Sequence, residues 1–160
     1  MRGGLAATLP LHWDGAFQDF AALTLDVFSG RMGGPRLSSG QVDALAHYLD
    51  GLAPPAAPSG DAAAVARGRA LFASPAVGCA TCHAGAHLTD NKNHDVGTGG
   101  ELQTPSLVGV GWRAPFMHDG CAPTLAARFD AGCGGGDRHG VTSKLSAAEL
   151  ADLVAYLESL

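Results

Sequence analysis

The stretch "GCATCHAG" (78–85) puts three residues that can do chemistry, Cys79, Cys82 and His83, within five positions. A C-x-x-C pair reads four ways: a zinc site, a thioredoxin-like redox pair, a structural disulfide, or a covalent haem attachment when histidine follows at once. Zinc wants a second cysteine or histidine pair at knuckle spacing, and Cys121 and Cys133 stand too far apart to supply one. A redox pair belongs in a βαβ unit, and no alternation of strand and helix runs through this chain. Haem uses every residue of the motif. At about 100° per residue, positions 79, 82 and 83 share one face of a helical turn. Both thiols can then bond porphyrin vinyl groups while the imidazole reaches the iron. The sequence predicts one covalent haem c on Cys79, Cys82 and His83.

An iron held by one histidine takes a second axial group or stays open for chemistry, so the sixth ligand decides the function. Downstream of the motif the candidates are His87, His94, Met117, His118 and His139, with Met32 and His12 further up the chain. His87 is too close to the attachment turn to cross the ring. Met117 follows a loop long enough to wrap the haem edge, and its approach "TPSLVGVGWRAPFMHDG" (104–120) supplies Leu107, Val108, Val110, Trp112 and Phe116 to line a cavity. Pro105 and Pro115 stiffen that approach without needing a backbone donor. Met117 is the expected ligand; His118 and an open iron are the alternatives. No residue is assigned a catalytic role.

The elements that position these groups show as a repeat. Shifted by 108 positions, "LSSGQVDALAHYLDGL" (37–52) lies over "LSAAELADLVAYLESL" (145–160) with six of sixteen residues identical. Both copies open with a capping box, Ser38 with Gln41 and Ser146 with Glu149, and continue with apolar residues at helical spacing. After a three-residue adjustment "LHWDG" (11–15) falls on "FMHDG" (116–120), so His12 lies over Met117. The proline-rich "APPAAPSG" (53–60) reads as a linker. Residues 1–52 are expected to be the back half of one domain without its own CxxCH, and 61–160 a complete second domain. His12 either ligates a haem encoded upstream or, with Trp13, caps a half-domain core. Residues 1–52 are expected to dock on the second domain or on another chain. Asp61 should open a helix over 62–72, with Gly68 and Phe72 packed on Leu153, Tyr156 and Leu157. His94, Asp95 and the glycines of "GTGG" read as a surface loop near the haem edge.

The net charge is −5, only 16% of residues are charged, and no basic run exists, which excludes a nucleic-acid binder and suits a neutral or basic protein partner. No stretch approaches membrane-spanning length, and the N-terminus does not read as a signal peptide. Haem c is attached outside the cytoplasm, so a periplasmic, exported protein is expected, with the export signal in a longer precursor. In that compartment Cys121 and Cys133, twelve apart, should form a disulfide. Closing such a loop stabilises a fold by roughly 3 kcal/mol and would brace the segment after Met117. The alternative is a pair of small buried residues.

With CATCH, "TDNKNHDVGTGG", "TPSLVGVGWRAPFMHDG" and "LSAAELADLVAYLESL" in this order, the chain resembles the C-terminal haem domain of bacterial di-haem cytochrome c peroxidases and their relatives that mature amine dehydrogenase cofactors. The resemblance covers about residues 61–160, and "HWDG" is similar to the Trp-Asp-Gly stretch ending the family's first domain. It implies a high-potential, electron-relaying haem with His83 and Met117 as axial ligands. It also implies calcium between two domains, for which no ligand here matches. The absence of a first attachment motif puts peroxidase activity in doubt for this chain as given. The expected fold is all-α, a cytochrome c-like haem domain preceded by a helical half-domain. The expected function is single-electron transfer between a redox donor and acceptor protein. Two alternatives stand beside it: the relay part of a di-haem peroxidase, and a module in which haem is mainly a folding nucleus.

Overall fold

The computed structural model describes residues 4–58, 60–130 and 132–160. Helix α1 (Phe20–Leu23) starts at Asp19, whose carboxylate accepts from the Ala22 N–H at 2.7 Å, and runs on into a π-helical stretch, Thr24–Arg31. Helix α2 (Ser39–Gly51) opens with the expected capping box: Ser38 Oγ accepts from Gln41 N–H and Gln41 Oε1 accepts from Ser38 N–H. Asp61 caps α3 (Ala62–Ala73) by accepting from Ala63 N–H at 2.9 Å. Ser146 and Glu149 repeat the box at the start of α4 (Ala147–Glu158). Each box satisfies backbone donors that a helix start would otherwise leave bare.

Residues 93–103 differ from expectation. Strands β1 (Asn93–Asp95) and β2 (Glu101–Gln103) pair antiparallel in the register Asn93↔Gln103, His94↔Leu102, Asp95↔Glu101. Gly97, Gly99 and Gly100 take φ of 80°, 103° and 141°, which is what folds this stretch back on itself as a ladder.

The main core lies where α3 crosses α4. A Cβ on Gly68 would collide with the Asp152 carbonyl and lie 2.8 Å from Tyr156 Cβ, so only glycine allows this approach. One turn on, the Phe72 ring stands 5.2 Å from the Tyr156 ring, and Phe72, Val110, Leu125, Leu153 and Leu157 form the buried cluster. The contact expected of Gly68 and Phe72 is therefore present. A second, smaller cluster gathers Leu5, Leu11 and Phe17, with Leu49 of α2 among the residues packed on it.

The N-terminal segment docks on the β1–β2 region. Gln103 N–H donates to the Trp13 carbonyl at 2.8 Å, Asn91 Nδ2 to the Ala7 carbonyl at 2.8 Å, and Asn93 Nδ2 to the Asp14 carbonyl at 2.9 Å. Among the described residues no helix is long and apolar enough to cross a membrane.

Candidate haem site

Gly78 (φ 84°) ends the loop from α3 and starts a tight 3-10 turn, Cys79–Thr81, closed by a bond from the Cys82 N–H to the Cys79 carbonyl. Residues three apart eclipse in such a turn, so the two cysteines point from one edge more nearly than an α-turn would allow. The His83 N–H bonds the same carbonyl at 3.0 Å, so the histidine's backbone continues the turn that holds the cysteines. Both thiols are free and partly buried. Burial raises both thiol pKa values; the Asp90 carboxylate adds to the effect at Cys82.

His83 is set up as a metal ligand. Its Nδ1 lies 3.1 Å from the Leu88 carbonyl oxygen. A carbonyl only accepts, so Nδ1 carries the proton and Nε2 keeps its lone pair. Burial lowers the pKa of the ring, outweighing the Leu88 bond that favours the protonated form, and the imidazole is neutral at physiological pH.

Met117 sits at the tip of a hairpin whose geometry has a copy. Phe116 and Ala122 form an isolated bridge around it, with the Phe116 N–H to Ala122 carbonyl bond at 2.7 Å; Leu11 and Phe17 form the same bridge around His12, with the matching bond at 2.8 Å. Met117 has φ 69° and His12 φ 78°, both left-handed. In each, the aspartate two residues on accepts from the backbone two residues beyond it, Asp119 from Cys121 N–H and Asp14 from Ala16 N–H, both at 3.1 Å. The residues following the tips, Trp13 and His118, meet edge to face at 6.3 Å. His12 Nδ1 is 3.0 Å from Asp14. A cavity of about 780 Å³ lined by His12, Trp13, Trp112 and Arg113 opens beside them.

Cys121 and Cys133 are disulfide-bonded with Cα atoms 5.7 Å apart, anchoring the strand that leaves the Met117 hairpin. His87 lies against Gly4, where a Cβ would fall 2.7 Å from the ring. His94 Nε2 pairs with Asp90 at 2.8 Å. The donor atoms of Cys82, Asp90 and His94 lie within 4.8 Å of one another, a set that could hold a metal ion. His139 lies with its ring 6.3 Å from that of His83 and an enclosed Nδ1 without a partner, beside Arg128. Nothing in the sequence signals Arg128: an arginine in "LAARFD" reads as a surface residue. These residues fit a covalent haem. Two free thiols and an imidazole whose Nδ1 is tied to Leu88 follow one another within a single turn, and Cys79, Leu107, Phe116 and Phe129 pack on the main core.

A thiol pair and a histidine so arranged are the residue types that a c-type haem attachment uses. Residues 65–160 match the cytochrome c family. The methylamine utilization protein MauG of Methylorubrum extorquens is 35% identical over 119 residues, covering 59% of this chain and 33% of its own length. Hydrazine synthase subunit gamma of Kuenenia stuttgartiensis is 30% identical over 141 residues, covering 59% of this chain and 40% of its own. The matches thus span well under half the length of these curated relatives. Among solved structures, Kuenenia stuttgartiensis hydrazine synthase pressurised with 20 bar xenon superposes with a TM-score of 0.88 at 25% identity, over 99% of this chain and 70% of its own. A MauG-like protein associated with microbial copper homeostasis shares the fold at 0.70 and 19% identity, over 94% and 68%. The chain belongs to the cytochrome c family, and its likeness to these relatives supports the resemblance to the di-haem cytochrome c peroxidase-like group. Covalent haem c and electron transfer are what the cytochrome c family implies.

Proposed function

We propose that the chain passes single electrons through one haem c bonded to Cys79 and Cys82, with His83 and Met117 as axial ligands. The observation that carries this reading is the His83 imidazole, tied through Nδ1–H to the Leu88 carbonyl and presenting a bare Nε2 beside two free thiols. Bound there, haem supplies a one-electron couple, and a methionine ligand raises its potential. The chain's residues do the rest. Leu88 fixes the tautomer, the 3-10 turn aligns the thiols, and the hairpin holds the Met117 thioether while Cys121–Cys133 braces the strand behind it. With both axial positions filled, no site is left for a substrate. We place the chain in an exported, oxidising compartment, which the disulfide supports, and divide it into a half-domain (1–52), a linker (53–60) and the haem domain (61–160).

A second reading has its own observation. The His12 hairpin copies the Met117 hairpin, and Trp13 meets His118 across the two. That pairing suits an electron relay between this haem and another, as in a di-haem peroxidase with its first haem encoded upstream. The visible and near-infrared spectrum of the ferric protein tests the first reading. The weak charge-transfer band of thioether sulfur on low-spin iron is expected in the native protein and in H12A, and its loss in M117A. A native protein that is high-spin and changes on adding peroxide would sink the sealed-iron reading and favour the peroxidase.

A further inference from the structure

The segment after the Met117 hairpin holds a positive charge beside the attachment turn. Arg128 is partly buried, its guanidinium carbon stands 4.7 Å from the centre of the Phe129 ring, and one NH₂ donates to the His139 carbonyl. Gly134 closes in on it, where a Cβ would lie 3.5 Å from the guanidinium carbon. The residue after His139 reaches the attachment turn itself. A Cβ on Gly140 would lie 3.6 Å from Cys79 Sγ and 3.4 Å from the Val77 carbonyl, and the Val141 N–H bonds that carbonyl at 2.8 Å. The His139 ring stacks on that of His83 at 6.3 Å. The stretch that receives Arg128 is therefore the one seated on Cys79 and His83, at the side of the site where the thioether bonds form.

No carboxylate pairs with Arg128 among the described residues. The acids on neighbouring elements are committed elsewhere. Asp137 accepts from the N–H groups of Thr142 and Ser143 and from the Ser143 hydroxyl; Asp95 pairs with Arg138 at 2.6 Å, and Asp90 with His94 at 2.8 Å. The titratable groups that meet the guanidinium charge are Cys79, His83 and His139. None of them offsets it. A cysteine bonded as a thioether is neutral, and burial keeps both imidazoles neutral, that of His139 with a pKa of about 3. Burial also pulls Arg128 down to about 10, which still leaves a cation at neutral pH. In place of a counter-ion the guanidinium has a carbonyl and an aromatic face, which orient a cation without cancelling its charge. The distinction matters because an ion pair presents a dipole whose field dies away quickly. A lone charge shielded from water acts across its surroundings with little screening.

We propose that Arg128 sets the reduction potential of the haem, raising it through an uncompensated positive charge fixed at the thioether side of the site. This rests on the haem being held by Cys79, Cys82 and His83. Oxidation leaves one more positive charge on the iron, so a fixed cation nearby disfavours it and favours the reduced form. The electron comes from the donor protein of the proposed relay, and no proton moves with it. Arg128 acts here as a positioning residue for charge, separate from the axial methionine, which works through its bond to iron. Its role is to match the chain to donors and acceptors of higher potential.

The test is the midpoint potential of the holoprotein at neutral pH for the native chain, R128Q and R128K. Mass spectrometry checks the covalent haem of each, and the visible and near-infrared spectrum checks the axial ligands. R128Q should lower the equilibrium constant for reduction by about tenfold, roughly 59 mV for a one-electron couple, with an unchanged spectrum. R128K, which keeps the charge but loses the planar fork, should recover most of that difference. A native potential in R128Q overturns the proposal. So does an equal fall in R128K, which assigns the effect to the packing of the guanidinium and not to its charge. If R128Q does not fold or loses the native spectrum, R128K decides alone: a potential within about twofold of native in the reduction equilibrium sustains the proposal, and a fall of about tenfold overturns it. A native chain without covalent haem fails the haem reading itself, and a native spectrum without the thioether band fails the Met117 reading while leaving the comparison of potentials intact.

Discussion

The molecule contains the same hairpin and the same helix twice, and the two copies differ in burial rather than in backbone. Both hairpins hold a left-handed residue at the tip, close with matching bridges and lead to helices opened by the same capping box. Leu5 and Val110, 105 positions apart, are both buried. The helices then diverge. Leu153 of α4 is 0% exposed, whereas its counterpart Leu45 of α2 is 39% exposed; Tyr156 packs on Phe72, whereas Tyr48 is 63% exposed. Local sequence sets the backbone of each copy, but a covering helix decides whether the apolar face becomes core. Helix α3 does this for α4. Arg67 of α3 bonds Asp152 of α4 through two hydrogen bonds at 2.6 and 2.8 Å, while the position matching Asp152 in α2 is Ala44.

Truncating the matched leucines should separate the copies most sharply. Leu153→Ala removes a fully buried side chain from beneath α3 and is expected to cost roughly 2–5 kcal/mol. Leu45→Ala, at an exposed position, should fall within about 0.5 kcal/mol of native. Guanidinium unfolding of the holoprotein, read as a change in midpoint at constant slope, measures both. Equal losses would mean that α2 is covered as α4 is, and the contrast between the copies would be void.

Gly68→Ala sharpens the same comparison from the covering side. The added methyl meets the Asp152 carbonyl, which is backbone and cannot rotate away, so α3 must move off α4. Overpacking of this kind costs roughly 1–3 kcal/mol. The expected signature is a lower unfolding midpoint together with weaker quenching or altered near-ultraviolet dichroism of Tyr156. A stable G68A with an unchanged Tyr156 signal would mean that the crossing is loose and glycine incidental.

What the sequence made legible follows from how local each feature is. Ser38 with Gln41, Ser146 with Glu149, and Asp61 are self-contained caps, and each forms where its spacing places it. Gly68 and Phe72 were readable because a glycine and an aromatic one turn apart mark a close helix crossing. The CxxCH turn was readable because its chemistry needs all three residue types at once. The strands at 93–95 and 101–103 were hidden because three-residue ladders have too few positions to show alternation, and the three glycines between them read as loop. Arg128 and His139 were hidden for another reason: an unpaired charge is a property of everything around it, and no spacing in "LAARFD" or "GDRHG" reveals it.

The smallest effect concerns the pin that only one copy has. Arg67 is hydrogen-bonded to Asp152 in bidentate fashion, and that bond first, with the guanidinium charge, holds the Asp152 carboxyl below the ordinary aspartate value of 3.8. A carboxyl whose folded pKa is depressed contributes stability that is present above its unfolded pKa and is lost as pH falls through the folded one. The pair therefore helps at neutral pH, fades on acidification below about 3.8, and is absent once Asp152 is protonated. Because the Arg67 side chain is mostly exposed, Arg67→Ala should lower the thermal midpoint only slightly at pH 7, by less at high salt, and not at all in strong acid. An equal loss at all three conditions would mean that the arginine's methylene stem, packed along α4, matters and its charge does not. The charge on Arg67 would then add nothing to the covering of α4, and this electrostatic difference between the two helices would disappear.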